Sequence, residues 1–233
     1  MNTICQPMGD DIGSVVTADF RLPRLLKLVL VVDLVESVRA MEVEEVGVIA
    51  RWQAFLRHVN LVILPAHAGR LVKSLGDGLM VEFDAALNAV CAAADMHAWM
   101  AHRCAPLCGD RRLALRAGVH SAHIFVGRED VYGVGVNLAA RVAALARPGK
   151  TAATAQVKDR LADAPGLSIL DLGEFRLKHV EKPVRIFQVD AANAAHVSRT
   201  LDARLLDPTS GPPFPLSRLI SSRLRRLWPA AEA

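Results

Sequence analysis

Two aspartates, Asp33 and Asp77, stand where strand-patterned segments are about to turn, and carboxylates so placed suit Mg²⁺ held against a substrate phosphate. Asp33 closes the apolar run LKLVLVVD. Asp77 sits between two glycines in LVKSLGDGLMVEF, at the tip of a hairpin joining two β-patterned segments. Strand ends and tight turns hold side chains rigidly, as metal coordination demands. Lys73, four residues before Asp77, lies on the same hairpin strand. A third segment, EDVYGVGVNLAAR, adds Asp130, Asn137 and Arg141 on a strand–turn–helix pattern. Asn137 and Arg141 are spaced i, i+4 and share a face at a helix start, and the GVGVN stretch opens an N-terminus suited to phosphate. Arginine adds a planar fork that grips phosphate oxygens and developing negative charge. Any one of these residues alone reads as an ordinary surface side chain. Together they read as a phosphoryl-transfer site.

The elements that must position them follow from periodicity. Leu26–Val32 is a continuous apolar, β-branched run, as expected of a central strand buried on both faces. From Met41 to Leu64 the apolar residues Val46, Ile49, Trp52, Leu56, Val59 and Ile63 recur at helical spacing, with Pro65 expected to end the helix. Arg70–Ser74 and Leu79–Phe83 pair around Leu75–Gly78, where Gly76 and Gly78 permit tight-turn backbone angles. Ala85–His102 is Ala-rich and helical. Leu113–His120 and Ile124–Val126 read as two further strands, and Val134–Ala146 as a helix stopped by Pro148–Gly149. Strands are expected at Lys150–Thr154, Ser168–Leu172 and Val184–Val189, with a short helix at Ala155–Leu161. The order β-α-β-β-α-β is the split βαβ, ferredoxin-like arrangement of an α+β domain, here with extra C-terminal strands.

Composition narrows the class. A chain of 233 residues, 52% hydrophobic and 22% charged, is a globular protein able to bury one sizeable core. Residues 192–233 hold six Arg against three acids and so supply +3 of the net charge of +4, and they contain five of the twelve Pro. The chain therefore divides into a lead-in (1–24), a nearly neutral domain (25–191) and a Pro-rich, basic tail (192–233). A domain without a basic stripe argues against nucleic acid as partner. In the tail, Leu216, Leu219, Ile220, Leu224, Leu227 and Trp228 trace one helical face, which could touch a partner or an anionic membrane surface, or dock on its own domain. The four Cys (5, 91, 104, 108) fit a reducing compartment, and the C-x₃-C of Cys104 and Cys108 has no second half that would complete a zinc site. The absence of a secretory signal or of about 20 consecutive apolar residues points to the cytoplasm.

With these residues in view, 28–190 resembles a class III nucleotidyl cyclase catalytic domain, of the bacterial stand-alone type. The resemblance rests on VVDLVESVRAME, GRLVKSLGDGLMVEF and DVYGVGVNLAARVAALARPG followed by LGEFRLKHVEKPVRIFQV, in order and at matching spacings over about 70% of the chain. It implies a palm-type cyclase fold and an adenylyl cyclase acting on ATP with two Mg²⁺ (or Mn²⁺) ions per site. By position, Asp33 and Asp77 become the metal carboxylates, with the Leu34 carbonyl a third ligand. Lys73 and Asp130 fall where adenylyl cyclases recognise the base, Asn137 where the ribose is oriented and Arg141 where the transition state is stabilised. Lys178 and Lys182 both qualify as the late Lys that meets the terminal phosphates. The family's site is shared across a dimer, so a homodimer is expected.

The chemistry of the base pocket stands on its own. Adenine offers an amine donor and a ring-nitrogen acceptor, which suit an Asp acceptor and a Lys donor. Guanine presents a carbonyl where adenine has its amine. The loop after Asp33 departs from the family pattern. Glu36 stands where Gly is expected and Val38 where Thr is common, with Ser37 left to supply a hydroxyl. A positive φ at Glu36 would cost a non-Gly residue about 1–2 kcal/mol, and its carboxylate would repel phosphate unless it turned away or paired with Arg39. That departure leaves open a poorly active nucleotide-binding regulatory module, and a guanylyl cyclase stands beside it as a further alternative. A dinucleotide cyclase is disfavoured because LGDGL replaces the GGDEF-type hairpin. His120 and His123, three apart on a strand, face opposite sides and are read as structural. Tyr132 is read as packing.

Overall fold

The computed structural model describes residues 22–104, 112–127, 130–161 and 164–191. The tail, Cys5 and Cys108 lie outside them. Strand β1 (Arg24–Leu34) leads into α1 (Ser37–His58), a π-helical segment (Val59–Ile63) and the short α2 (Leu64–Ala66). The hairpin β2 (Arg70–Ser74) and β3 (Gly78–Phe83) follows, then α3 (Ala86–Cys104), β4 (Leu115–Val126), β5 (Val131–Tyr132) and α4 (Val134–Leu145). The chain continues through β6 (Thr151–Thr154), α5 (Ala155–Asp159), β7 (Leu167–Phe175) and β8 (Val184–Ala191).

All the strands form one sheet in the order β2-β3-β1-β4-β6-β8-β7, with β5 paired to β4. Every pairing is antiparallel except β4 with β6. The stretch β2-β3-β1-β4 is the expected ferredoxin-like core, and β6, β8 and β7 extend it.

The period-2 alternation of β1 divides the core between two faces. Leu28, Leu30, Val32 and Leu34 join Trp52 and Phe55 of α1 and Met96 and Trp99 of α3. Val29 and Val31 point to the other face, against Met80, Ile124 and the α4 residues Val136, Ala139 and Ala143. At Gly118 a Cβ would lie 2.1 Å from the Ala143 backbone nitrogen, so only glycine lets α4 settle directly on β4.

Several local expectations are corrected. The two strands read at 113–126 are one, because Ser121 and Ala122 stay paired with β1 throughout. The helix ends one residue past Pro65, at Ala66, after the π-helical segment just before it has shifted the hydrogen-bond ladder. Val46 and Ile49 share the helical period but lie outside the core, 80% and 41% exposed. Val46, nine residues before Phe55, stands on the opposite side of a helix with about 3.6 residues per turn, while Val48, Trp52 and Phe55 carry the buried face. Tyr132 is exposed rather than packed, as is Leu26 at the outer end of β1.

Candidate active site

Register brings the two aspartates together. Asp33 pairs with Gly78 across β1 and β3, and the Leu34 N–H donates to the Asp77 carbonyl at 3.0 Å. The turn between β2 and β3 is closed by the Leu75 N–H on the Gly78 carbonyl at 2.7 Å, with Gly76 at φ 87°. Gly78 has no positive φ. Its role is close approach, since a Cβ there would sit 3.0 Å from the Val32 carbonyl oxygen and 3.5 Å from Asp33 Oδ1.

Each carboxylate has a partner that the sequence reading missed. Arg116, opposite Asp33 on β4, donates to Asp33 Oδ2 from Nε at 2.8 Å and from Nη2 at 2.5 Å. The buried Ser37 hydroxyl donates to Asp77 Oδ2. Ser37 was expected to face phosphate; in this structure it holds a carboxylate instead. No motif points to Arg116. Only the β1–β4 register sets it beside Asp33, 83 residues away in sequence.

The donors fit Mg²⁺ or Mn²⁺. Asp33, Asp77 and the Leu34 carbonyl would offer hard oxygen donors, and the missing side chain at Gly78 leaves room beside Asp33 Oδ1. Among the described residues no three His, Cys, Asp or Glu gather as a metal cluster. A set of two carboxylates and a carbonyl suits an ion that draws its remaining ligands from substrate phosphates and water.

Lys73 on β2 meets Asp130, the residue just before β5. Lys73 Nζ donates to both carboxylate oxygens of Asp130 at 2.9 Å, and Asp130 Oδ1 also accepts the Val131 N–H at 2.7 Å. Both side chains remain about one-third exposed, at 35% and 28%. Asn137 and Arg141 lie on α4 as predicted, within the helix rather than before it, because GVGVN is itself helical from Val134. The buried residues of α4 are Val136, Ala139, Val142 and Ala143, which turns Asn137 and Arg141 to the face away from the sheet. Lys178 and Lys182 are both exposed in the β7–β8 connection.

Glu36 occupies the N-cap of α1 at φ 51°, ψ 39°, the left-handed conformation that glycine would adopt without strain. Its carbonyl accepts the Ala40 N–H at 2.9 Å. Its carboxylate lies 3.9 Å from Arg39 Nη1, with both side chains well exposed. His120 is buried and bonds Thr154 Oγ1 at 3.0 Å, while His123 is exposed, so the two serve different surroundings.

The fold and these motifs define a nucleotidyl cyclase palm. Residues 51–191 match the adenylate and guanylate cyclase catalytic domain, and the chain belongs to that family. A Rhizobium meliloti protein named "Putative adenylate cyclase 3" is 36% identical over 168 residues, which are 70% of this chain and 28% of that protein. An uncharacterised Mycobacterium tuberculosis protein is 35% identical over 127 residues, 54% of this chain and 31% of that one. The chain thus spans about three-tenths of these curated relatives. Among solved structures, an adenylate/guanylate cyclase/hydrolase from Silicibacter pomeroyi is 27% identical with a TM-score of 0.63, over 72% of this chain and 98% of that chain. An adenylyl cyclase from P. aeruginosa, 23% identical with a TM-score of 0.61 over 72% of this chain and 94% of that one, shares the fold. No helix among the described residues is long and apolar enough to cross a membrane.

Proposed function

We propose that this catalytic domain converts ATP to 3′,5′-cyclic AMP and pyrophosphate in intracellular signalling, at sites shared between the subunits of a homodimer. The observation that carries adenine over guanine is the Lys73–Asp130 pair, a donor and an acceptor held side by side. Lys73 donates to a ring nitrogen of adenine and Asp130 accepts from its exocyclic amine. Guanine would set its carbonyl against the Asp130 carboxylate and leave that acceptor without a donor.

Asp33, Asp77 and the Leu34 carbonyl would hold two Mg²⁺ or Mn²⁺ ions, which supply Lewis-acid activation of the ribose 3′-hydroxyl and neutralise triphosphate charge. The 3′-hydroxyl gives its proton to water, its oxygen bonds the α-phosphorus as the bond to the bridging oxygen breaks, and pyrophosphate leaves. Asn137 orients the ribose, Arg141 steadies the charge growing on the α-phosphoryl oxygens, and Lys178 or Lys182 meets the terminal phosphates. The dimer is supported by the outward face of α4. Asn137 and Arg141 turn away from the sheet that carries Asp33, as residues serving a partner's site would.

The second reading, a nucleotide-binding regulatory module of low turnover, is favoured by the left-handed Glu36 and its carboxylate in the loop after Asp33. One assay separates the readings. Purified protein is given ATP or GTP with Mg²⁺ or Mn²⁺, and cyclic product and pyrophosphate are measured. Cyclic AMP in excess of cyclic GMP is the expected result. Nucleotide binding without turnover selects the regulatory module, and equal use of GTP overturns the adenine assignment.

A further inference from the structure

Resting on the assignment of Asp33 as a metal ligand, we infer that Arg116 is the resident counter-cation of that carboxylate and that a divalent metal binds in competition with it for the carboxylate's charge. Two guanidinium donors converge on one oxygen, Asp33 Oδ2, at 2.8 and 2.5 Å. The register sets this contact, because Asp33 and Arg116 are cross-strand partners one pair before the end of the β1–β4 ladder. A guanidinium bonded in this way claims the charge of the carboxylate and the lone pairs of Oδ2, and leaves Oδ1 as the oxygen that faces Gly78. The pair is partly shielded, with side chains 28% and 35% exposed, so water screens it incompletely. A doubly charged ion sharing the carboxylate with an arginine meets twice the repulsion that a single charge would. The steadying effect of Arg116 on the Asp33 rotamer acts in the opposite direction and is the weaker term, because β1 already pairs with both neighbouring strands there. Arg116 is thus a positioning residue that sets metal affinity before any nucleotide arrives.

The test is nucleotide-free Mn²⁺ binding by the full chain, read by electron paramagnetic resonance of free Mn²⁺. Arg116→Met should bind Mn²⁺ about tenfold more tightly than wild type, the fold-change expected from removing one partly buried charge partner. Arg116→Lys, which keeps the charge and loses the fork, should fall between. Unchanged or weaker binding by Arg116→Met overturns the inference. Asp33→Asn serves as the control for the underlying assignment. If it leaves Mn²⁺ binding intact, the metal site itself is misplaced; if it abolishes binding while Arg116→Met matches wild type, only the counter-cation role fails. Should Arg116→Met not fold, wild-type protein decides through the NMR signal of the Arg116 Nε–H. That signal should move as Mn²⁺'s diamagnetic substitute Mg²⁺ is added, and a fixed signal at saturating Mg²⁺ overturns the inference.

Discussion

Lys73 Nζ lies 2.9 Å from both carboxylate oxygens of Asp130, a residue 57 positions further along the chain. The two side chains proposed to read the base therefore satisfy each other before substrate arrives. This holds both in a fixed place at the cost of a pair that adenine must loosen. An exchange of this kind makes selectivity sensitive to either residue.

Replacing Lys73 with Glu and Asp130 with Cys should reverse the donor–acceptor order and lower the ATP-to-GTP ratio of kcat/KM by roughly tenfold or more. Parallel assays of cyclic AMP and cyclic GMP formation measure it. An unchanged ratio would place base recognition elsewhere.

Asp33→Asn and Asp77→Asn each remove a metal charge and should lower cyclase activity by roughly a hundredfold or more while the fold persists. Far-ultraviolet circular dichroism and a single unfolding transition would verify the fold. Near-normal turnover by either variant, with metal dependence intact, would sink the two-metal assignment.

Glu36→Gly relieves a left-handed residue and should stabilise the protein by about 1 kcal/mol, read as a rise in the urea midpoint. Activity should equal or exceed that of wild type, since a carboxylate leaves the loop after Asp33. A large loss of activity would reveal a positive role for Glu36.

Mixing Asp33→Asn with Arg141→Ala tests the shared site. Each variant alone should be nearly inactive. Random exchange makes half the dimers mixed, each with one intact site of two, so activity should recover to roughly a quarter of wild type. No recovery, with subunit exchange demonstrated, would put the whole site within one chain.

The histidines give a pH dependence. Burial pushes His120 and His97 down to about 4 from the ordinary 6.5. Between pH 6.5 and 4 the unfolded chain binds protons that the folded chain refuses. Stability is therefore full above pH 6.5 and falls on acidification, by up to about 1.4 kcal/mol per pH unit for each histidine. His120→Asn, which keeps a partner for Thr154, should flatten the urea midpoint across that window. An unchanged slope would show that His120 does not titrate as its burial implies.

The sequence by itself determined the order of strands and helices, and with it the ferredoxin-like core. Period-2 and period-3.6 patterns are local properties, written into stretches such as Leu26–Val32 and Ala85–His102. It also determined which residue types could act, because Asp33, Asp77, Lys73, Asp130, Asn137 and Arg141 sit in motifs with fixed spacing, and it raised the backbone question at Glu36. The periodicity misled at Val46 and Ile49, which recur at helical spacing but fall outside the face that Val48, Trp52 and Phe55 bury. What only the tertiary structure decided is who partners whom. Arg116 reaches Asp33, Ser37 reaches Asp77 and Lys73 reaches Asp130 through strand register and loop closure over 83, 40 and 57 residues. Register depends on how two distant segments slide against each other as the whole sheet buries its core, and a shift of one residue would turn every side chain to the other face.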